Sequence, residues 1–538
     1  MIGEERGGLN RPPFLSVTLR GIARLADTER VGTRWLPPVL GLLTAVVYWW
    51  IWGALQPATR HFDETAYLLQ ARIFAQGQWT APARPLPEFF EQFHVLVTPV
   101  LAAKYPPGHS LLLSLGQLVG FAALVPLLLN GLTGALIYVL ASRLAGVLTG
   151  VLTWLLWLLT PINLIFRPSY FSNVTTGALW LLGWWALLNW WQSGARRWLL
   201  LLAGCVGWCA ITRPFTALAF TLPVAVLVIR RVWQRALWTD LGLALALGTC
   251  VLAILPLANR RTTGHWLEMP WTTYARQYTP YDGLGFGFDS TPPLREPAAE
   301  MRRYNGVLRP LYQNHTLPAL PNIAKKRLQS LLESTWIPLL LPLALLGAIT
   351  MPAAGVLALL SAGLLFLAYL MYPHPIHWIV YYLEMVPAVA FAIAVGIVTL
   401  GRSGSRLFPR SRGVRHTLAA YAWIALAVWF LGAVQLLPWA RRRMLASGAS
   451  LEMFFAQLAK ISAAKAIVFV RYRASHPVFQ SLIMNEPDLV GAPVWVVQDR
   501  GADNWRLLAL APDRISFLYD QATNNLSLLS ADSSMGPR

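Results

Sequence analysis

The chain has 538 residues, of which 56% are hydrophobic and only 13% charged, with 25 tryptophans and a mean hydropathy of +0.48. About a quarter of an ordinary soluble protein is charged, so a chain this apolar needs a bilayer around most of its surface, and disorder, a collagen-like repeat and a disulfide scaffold are excluded. The formal charge of +20 comes from 44 Lys and Arg against 24 Asp and Glu, and in a membrane chain that excess marks loops held at the cytoplasmic face rather than nucleic-acid binding.

Residues 1–34 carry Arg6, Arg11, Arg20, Arg24, Arg30 and Arg34 and lead into a full-length apolar run with no small-residue cleavage site. That is the pattern of a retained signal anchor with its N-terminus in the cytoplasm. Uncharged runs then occupy 35–56, 122–142, 144–166, 174–192, 198–212, 214–229, 241–258, 336–350, 353–372, 378–400 and 417–438, which gives about eleven spans of the hydrocarbon core. Runs 198–212 and 214–229 are short. Read as a hairpin between Arg196-Arg197 and Arg230-Arg231, they keep both pairs in the cytoplasm and put Arg213 and Pro214 at an outer apex. The basic loop from Arg402 to Arg415 falls inside, while 57–121, 259–335 and 373–377 fall outside. Arg260-Arg261 and Arg441-Arg442-Arg443 run against the charge rule.

Beyond the last span, Leu451, Phe454, Phe455, Leu458 and Ile461 form an amphipathic stretch, and 466–472, 494–499 and 514–520 read as strands. The expected fold class is therefore an α-helical polytopic membrane protein. A cytoplasmic segment 1–34 precedes a transmembrane part 35–438, with interfacial helices in the first outer loop, and residues 439–538 form a small extracytoplasmic α/β domain. Cys205, Cys209 and Cys250 lie in apolar runs with no His or acid nearby to complete a metal site, and read as small buried side chains.

Polar residues gather at the outer ends of spans rather than at mid-membrane, where a transporter commonly places them. In 60–77, Phe62, Ala66, Leu69 and Ile73 define one apolar helix face, with Asp63, Tyr67 and Gln70 beside it. Asp63 at the helix start serves equally well as a cap or as a partly desolvated base for a hydroxyl proton, and Glu64 complements the dipole. Lys104 in KYPPGHS (104–110) is either an interfacial anchor or a phosphate ligand. Arg213 precedes a helix opening with proline, where guanidinium and helix dipole together suit a phosphate; the competing use is contact with lipid headgroups. Arg167, at the outer end of its span in FRPSYFSN (166–173), is a weaker candidate of the same kind, with marking the boundary as its competing use. Residues 259–287, including Arg276, are rich in aromatic and hydrogen-bonding groups. Residues 374–387 bring His374, His377, Tyr381, Tyr382 and Glu384 to the start of a span, where an acid needs a partner. With Asp63 and Glu64, the two histidines offer ligand types that a divalent metal ion takes, without a spacing that fixes one.

The run Asp63-Glu64 with Ala66-Tyr67, closed by Lys104-Tyr105-Pro106-Pro107-Gly108, resembles the first outer loop of GT-C fold membrane glycosyltransferases, which include protein O-mannosyltransferases and lipid A aminoarabinose transferases. Arg213-Pro214, Asn259 with Thr263-Gly264, Gly285-Phe286-Gly287, and Tyr381-Tyr382 with Glu384 and Pro387 extend the likeness to a bacterial branch over roughly 35–400. The resemblance implies an inverting, polyprenyl-phosphate-sugar-dependent glycosyltransferase of the bacterial cytoplasmic membrane. It would work on the extracytoplasmic side, with a glycan, lipid or protein as acceptor. Asp63 would be the general base and Glu64 its neighbour for acceptor or metal. Lys104 and Arg213 would hold the donor phosphate, and Tyr67, His109, Arg276, His377, Tyr382 and Glu384 would contact substrate. SYFSN (169–173) stands where better-known members have a second Asp motif, so the resemblance leaves acceptor and metal open. Two other readings stay open: a lipid-linked oligosaccharide flippase, which needs a polar route across the membrane, and a non-catalytic envelope scaffold, in which Asp63, Lys104 and Arg213 would not converge.

Overall fold

The computed structural model describes residues 34–529 except 55–56, 336–337, 408–411 and 478; the signal-anchor reading of the N-terminal arginines falls outside these apart from Arg34. In chain order the helices are α1 Leu36–Trp52, α2 Phe62–Ala75, α3 Gly108–Leu118, α4 Leu124–Ala145, α5 Val147–Leu158, α6 Pro161–Phe166, α7 Asn173–Ser193, α8 Arg196–Ala210, α9 Pro214–Arg235, α10 Trp238–Leu252, α11 Ile254–Thr263, α12 Pro270–Tyr278, α13 Ala299–Gln313, α14 Leu320–Thr335, α15 Leu341–Thr350, α16 Ala353–Leu370, α17 Val386–Leu407, α18 Arg412–Leu458 and α19 Asn504–Leu510. The strands are β1 Ala81–Pro82, β2 Val95–Leu96, β3 Val100–Ala103, β4 Ala466–Arg471, β5 Val494–Gln498, β6 Ile515–Asp520 and β7 Asn525–Leu528.

The chain is a helical membrane protein. Among the described residues, six helices are long and apolar enough to cross a membrane, or seven if one sharply bent pair is a single span. Several expected spans are built in pieces. Run 144–166 is broken between Leu158 and Pro161, because the residue before a proline is pushed out of the helical region and Thr160 is extended there. Run 378–400 starts with a 3-10 turn, Ile379–Met385. Run 417–438, in contrast, is the middle of the 47-residue α18, which continues past Pro438 and the three arginines to Leu458. Arg441 donates to the carbonyl of Trp50 at 2.9 Å and stacks on its ring, near the electronegative C-terminal end of α1. Arg260 and Arg261 likewise occupy the last turn of α11. A local helix-end role thus accounts for Arg260, Arg261 and Arg441 among the arginines that run against the charge rule.

Helix pairs approach closest at glycines, since small residues let backbones meet where lipid tails give no apolar driving force. A β-carbon at Gly396 of α17 would stand 2.0 Å from the carbonyl oxygen of Leu343 in α15, and one at Gly41 of α1 would stand 2.8 Å from that of Gly131 in α4.

Residues 466–528 form a four-stranded sheet in the order β5-β4-β6-β7, parallel except for the β6–β7 pair. Val468 lies opposite Val496 and Phe517. β4 is apolar without alternation because both its faces are covered. Ile467 and Phe469 pack with Leu69, Ile73 and Phe89 of the first outer loop, while Val468 and Val470 pack with Leu451 and Phe454 at the end of α18. Helix α2 was expected to lie along the interface with one apolar face. It is instead buried on most sides, with Tyr67 and Ala71 in the main helical core and Ala66, Leu69 and Ile73 under the sheet.

Candidate active site

The antiparallel β2–β3 pair sets the first part of the site. Its register places Val95 against Ala103, so the next pair outward is His94 with Lys104, whose amide donates to the His94 carbonyl at 2.9 Å. Gln70 of α2 clamps this pair by accepting from the Ala103 amide at 2.9 Å. His94 adopts a left-handed backbone (φ 61°), a conformation that costs a non-glycine residue energy and is concentrated at functional sites.

Pro106 and Pro107 then direct the chain into α3, and Gly108 fixes where it lands. Its amide donates to the Ile211 carbonyl at 2.9 Å, and a β-carbon there would stand 2.3 Å from Thr212 Oγ1. Only glycine allows this contact, which joins the KYPPG segment to the α8–α9 turn carrying Arg213. One cavity of about 370 Å³ results, lined by Asp63, Tyr67, His94, Lys104, Tyr105 and Arg213 among others. The segment 259–335 contributes Asp282, the start of the 3-10 turn contributes Tyr381, and the C-terminal part contributes Phe479, whose carbonyl accepts the Phe62 amide.

Asp63 lies in the first turn of α2 and does not cap it: the N-cap is His61, with no side-chain cap bond. Its Oδ1 takes the Tyr105 hydroxyl and lies 3.4 Å from His94 Nδ1, which also touches the Tyr105 oxygen; 29% of the Asp63 side chain is accessible. Burial alone would raise this carboxyl. The contacts of His94 and Tyr105 outweigh it and hold Asp63 below the usual carboxylate range. Burial, then Lys104, pushes the His94 pKa down, against the pull of the Asp63 carboxylate.

Each expected phosphate ligand faces a carboxylate. Lys104 Nζ is 3.4 Å from Asp282 Oδ2, an atom that also accepts from Trp271 at 3.2 Å, and the ammonium lies over Tyr274. Arg213, the extended N-cap of α9, stands between the rings of Tyr369 and Tyr381 with Nη1 3.4 Å from Glu384 Oε1.

Among the described residues, no three His, Cys, Asp or Glu side chains are grouped to hold a metal ion. Glu64 is fully buried and turned to Arg60, accepting from its amide at 2.9 Å, and does not line the cavity. His374 donates from Nδ1 to Pro375 O and accepts from Tyr382 at Nε2, while His377 is exposed. The four side chains offered as metal ligands are not brought together.

Of the expected substrate contacts, Tyr67 lines the cavity, donating to Ser172 at 3.0 Å and stacked on Tyr105. The other five do not line it. His109 is sealed beneath, with Thr175 and the Tyr170 carbonyl on its two nitrogens. Arg276 is an exposed partner of Glu268. Tyr382 is buried against His374, and Glu384 sits behind Arg213. Sequence reading missed His94 and Asp282; each stands in a loop, and only the fold brings it to Asp63 or Lys104.

Most of the chain matches the fold of a solved membrane protein. ArnT from Cupriavidus metallidurans, crystallised bound to undecaprenyl phosphate, matches with a TM-score of 0.51 at 15% identity, over 94% of this chain and all of that one. The fold is that of the GT-C membrane glycosyltransferases. More distant likenesses within the GT-C fold are AglB from Archaeoglobus fulgidus (12% identity, 82% of this chain, 62% of that one, TM-score 0.40) and the arabinosyltransferase EmbB from Mycobacterium smegmatis (14%, 80%, 43%, 0.39). No protein-family model and no curated protein sequence matches. Of the first-loop residues that carry the resemblance, Asp63, Tyr67, Lys104, Tyr105 and Pro106 line the cavity, while Glu64, Ala66, Pro107 and Gly108 do not.

Proposed function

We propose that the protein is an inverting glycosyltransferase. It moves a sugar from a polyprenyl-phosphate carrier to an acceptor hydroxyl on the extracytoplasmic side of the bacterial cytoplasmic membrane. The observation that carries the reading is that Asp63, Lys104 and Arg213, from three separate elements, line one cavity. That convergence favours an enzyme over a scaffold.

In this reading the acceptor oxygen attacks the anomeric carbon while the bond from that carbon to the phosphate oxygen breaks, inverting the centre. Tyr105 occupies Asp63 Oδ1, which leaves Oδ2 to take the hydroxyl proton. A carboxylate held low is a weak base in the ground state, so the proton moves late, when the attacking oxygen has become acidic. Charge grows on the departing phosphate, and Lys104 and Arg213 favour that state over the bound donor. Tyr67, Tyr105 and Tyr381 offer aromatic faces to sugar rings. Residues 35–438 carry the chemistry, and the sheet within 439–538 braces the outer loops over it.

Asp63→Asn should cut sugar transfer from a polyprenyl-phosphate sugar about 100-fold or more in purified full-length protein, with its melting temperature unchanged. Retained transfer removes Asp63 from the base role. Mass analysis of envelope glycans and glycolipids from a deletion strain identifies the sugar and acceptor used in that assay.

A further inference from the structure

Arg167 presents a charge problem. It follows α6 and is fully buried, and among the described residues none of its three guanidinium nitrogens has a hydrogen-bond partner. The guanidinium lies over the Trp157 ring, 5.4 Å from its centroid, and against α7 at Gly177, where a β-carbon would stand 2.7 Å from Nη1. Buried charges are otherwise paired, because an uncompensated one is costly to desolvate.

One residue earlier on the same helix, Thr176 donates to Glu384 Oε1, the atom that Arg213 also approaches. The other carboxylate oxygen, Oε2, is buried with no partner among the described residues. Thr176 and Gly177 are consecutive, so the same stretch of α7 holds Glu384 on one residue and the Arg167 guanidinium on the next. Two arginines and one carboxylate therefore share the start of α7, leaving this group one negative charge short. Of the three, only Arg213 lines the cavity. A phosphodiester brings one negative charge, but on Arg213 it would face Glu384 across the guanidinium and leave Arg167 still unpaired.

We propose that Glu384 exchanges between the two arginines: it pairs with Arg213 when the cavity is empty, and turns to Arg167 when a lipid phosphate takes Arg213. Arg167 is then a positioning residue, acting on the phosphate through Glu384 without touching it. This rests on the lipid-phosphate reading above and adds to it how the phosphate-binding arginine is released.

A double-mutant cycle on the full-length protein in detergent tests the exchange, with farnesyl phosphate binding measured by calorimetry. Arg167→Met should weaken binding about fivefold or more in the wild-type background, and should have no effect in the Glu384→Gln background. Arg167→Lys, which keeps the charge, should recover part of the loss. Equal losses in both backgrounds would mean that Arg167 acts by its own field or by supporting the fold, and would overturn the exchange. Should Arg167→Met not fold, infrared difference spectra of the wild-type protein on adding farnesyl phosphate should show a shifted carboxylate band that is absent in Glu384→Gln; no such band overturns the proposal. If the wild-type protein binds no farnesyl phosphate, the lipid-phosphate reading falls and the exchange with it. If it binds without coupling between 167 and 384, the exchange alone falls.

Discussion

Tyr105 has one hydroxyl proton and two neighbours, Asp63 and His94, within reach of it. An ionised carboxylate can only accept, so the proton points to Asp63, and His94 must then carry its own proton on Nδ1 and donate to the tyrosine oxygen. The charge and hydrogen bonding of His94, and then the Tyr105 hydroxyl, favour the carboxylate, which is why Asp63 lies low despite burial. The sign of the pH effect follows. With Asp63 as the proposed base, transfer needs the ionised form, so activity should be full above the Asp63 pKa and lost as pH falls through it. Tyr105→Phe removes one donor, raises that pKa and moves the acid limb of kcat/KM to higher pH, so activity should begin to fall at a higher pH than in the wild type, whose profile stays flat down to roughly pH 3. A limb in the same place as in the wild type would detach Tyr105 from Asp63. Asp63 was legible as a candidate because it opens a helix of clear periodicity. His94 was not: nothing in EQFHVLV signals that a strand pairing will set it beside Lys104 and turn its ring onto a tyrosine eleven residues on.

At the scale of elements, hydropathy located where apolar helices lie and misjudged where they stop. A window of apolar residues reads the same whether the helix is continuous, as in α18, or broken before Pro161. The buried position of α2 was equally hidden, because the strands covering it come from residues 466–498, some four hundred positions later. The glycine of KYPPG carries more structural information than its neighbours. Substituting Gly108→Ala puts a methyl group 2.3 Å from Thr212 Oγ1 and 2.9 Å from the Ile211 carbonyl. The second contact is backbone and cannot rotate away, so α3 and the α8–α9 turn must separate, carrying Lys104 and Arg213 apart. Overpacking of this kind costs about 1–3 kcal/mol. The variant should melt lower in detergent and show a raised KM for the lipid donor with a smaller change for the acceptor. Parallel rises in both KM values would count against Gly108 as the hinge between the two elements proposed to face the phosphate.

For the molecule as a whole, the outer layer is held to the C-terminal sheet by a polar junction with an unusual charge balance. Gln498 of β5 donates to the Glu91 carbonyl and to Glu300 Oε1, Ser481 also donates to Glu300, and Glu91 takes Arg295 and the Ala298 amide. Burial raises both carboxyls to about 7, with Arg295 offsetting part of the rise at Glu91 and hydrogen bonds from Tyr472, Gln498 and Ser481 part of it at Glu300. Each folded pKa lies above its unfolded value near 4.5, so the folded protein binds more protons than the unfolded chain between the two. The contribution to stability is fully present below about 4.5 and declines as pH rises through about 7, at up to about 1.4 kcal/mol per pH unit for each group. The expected outcome is a melting temperature that falls between pH 5 and about pH 7.5, with a shallower fall in Glu300→Gln, where one of the two titrating groups is gone. Glutamine keeps the acceptor that Gln498 and Ser481 need, so a lost hydrogen bond does not mimic the effect. If the two proteins melt with the same pH dependence, Glu300 does not hold the sheet to the loops by a proton, and the junction rests on contacts that do not titrate there, such as the packing of Ile467 and Phe469 against Leu69, Ile73 and Phe89.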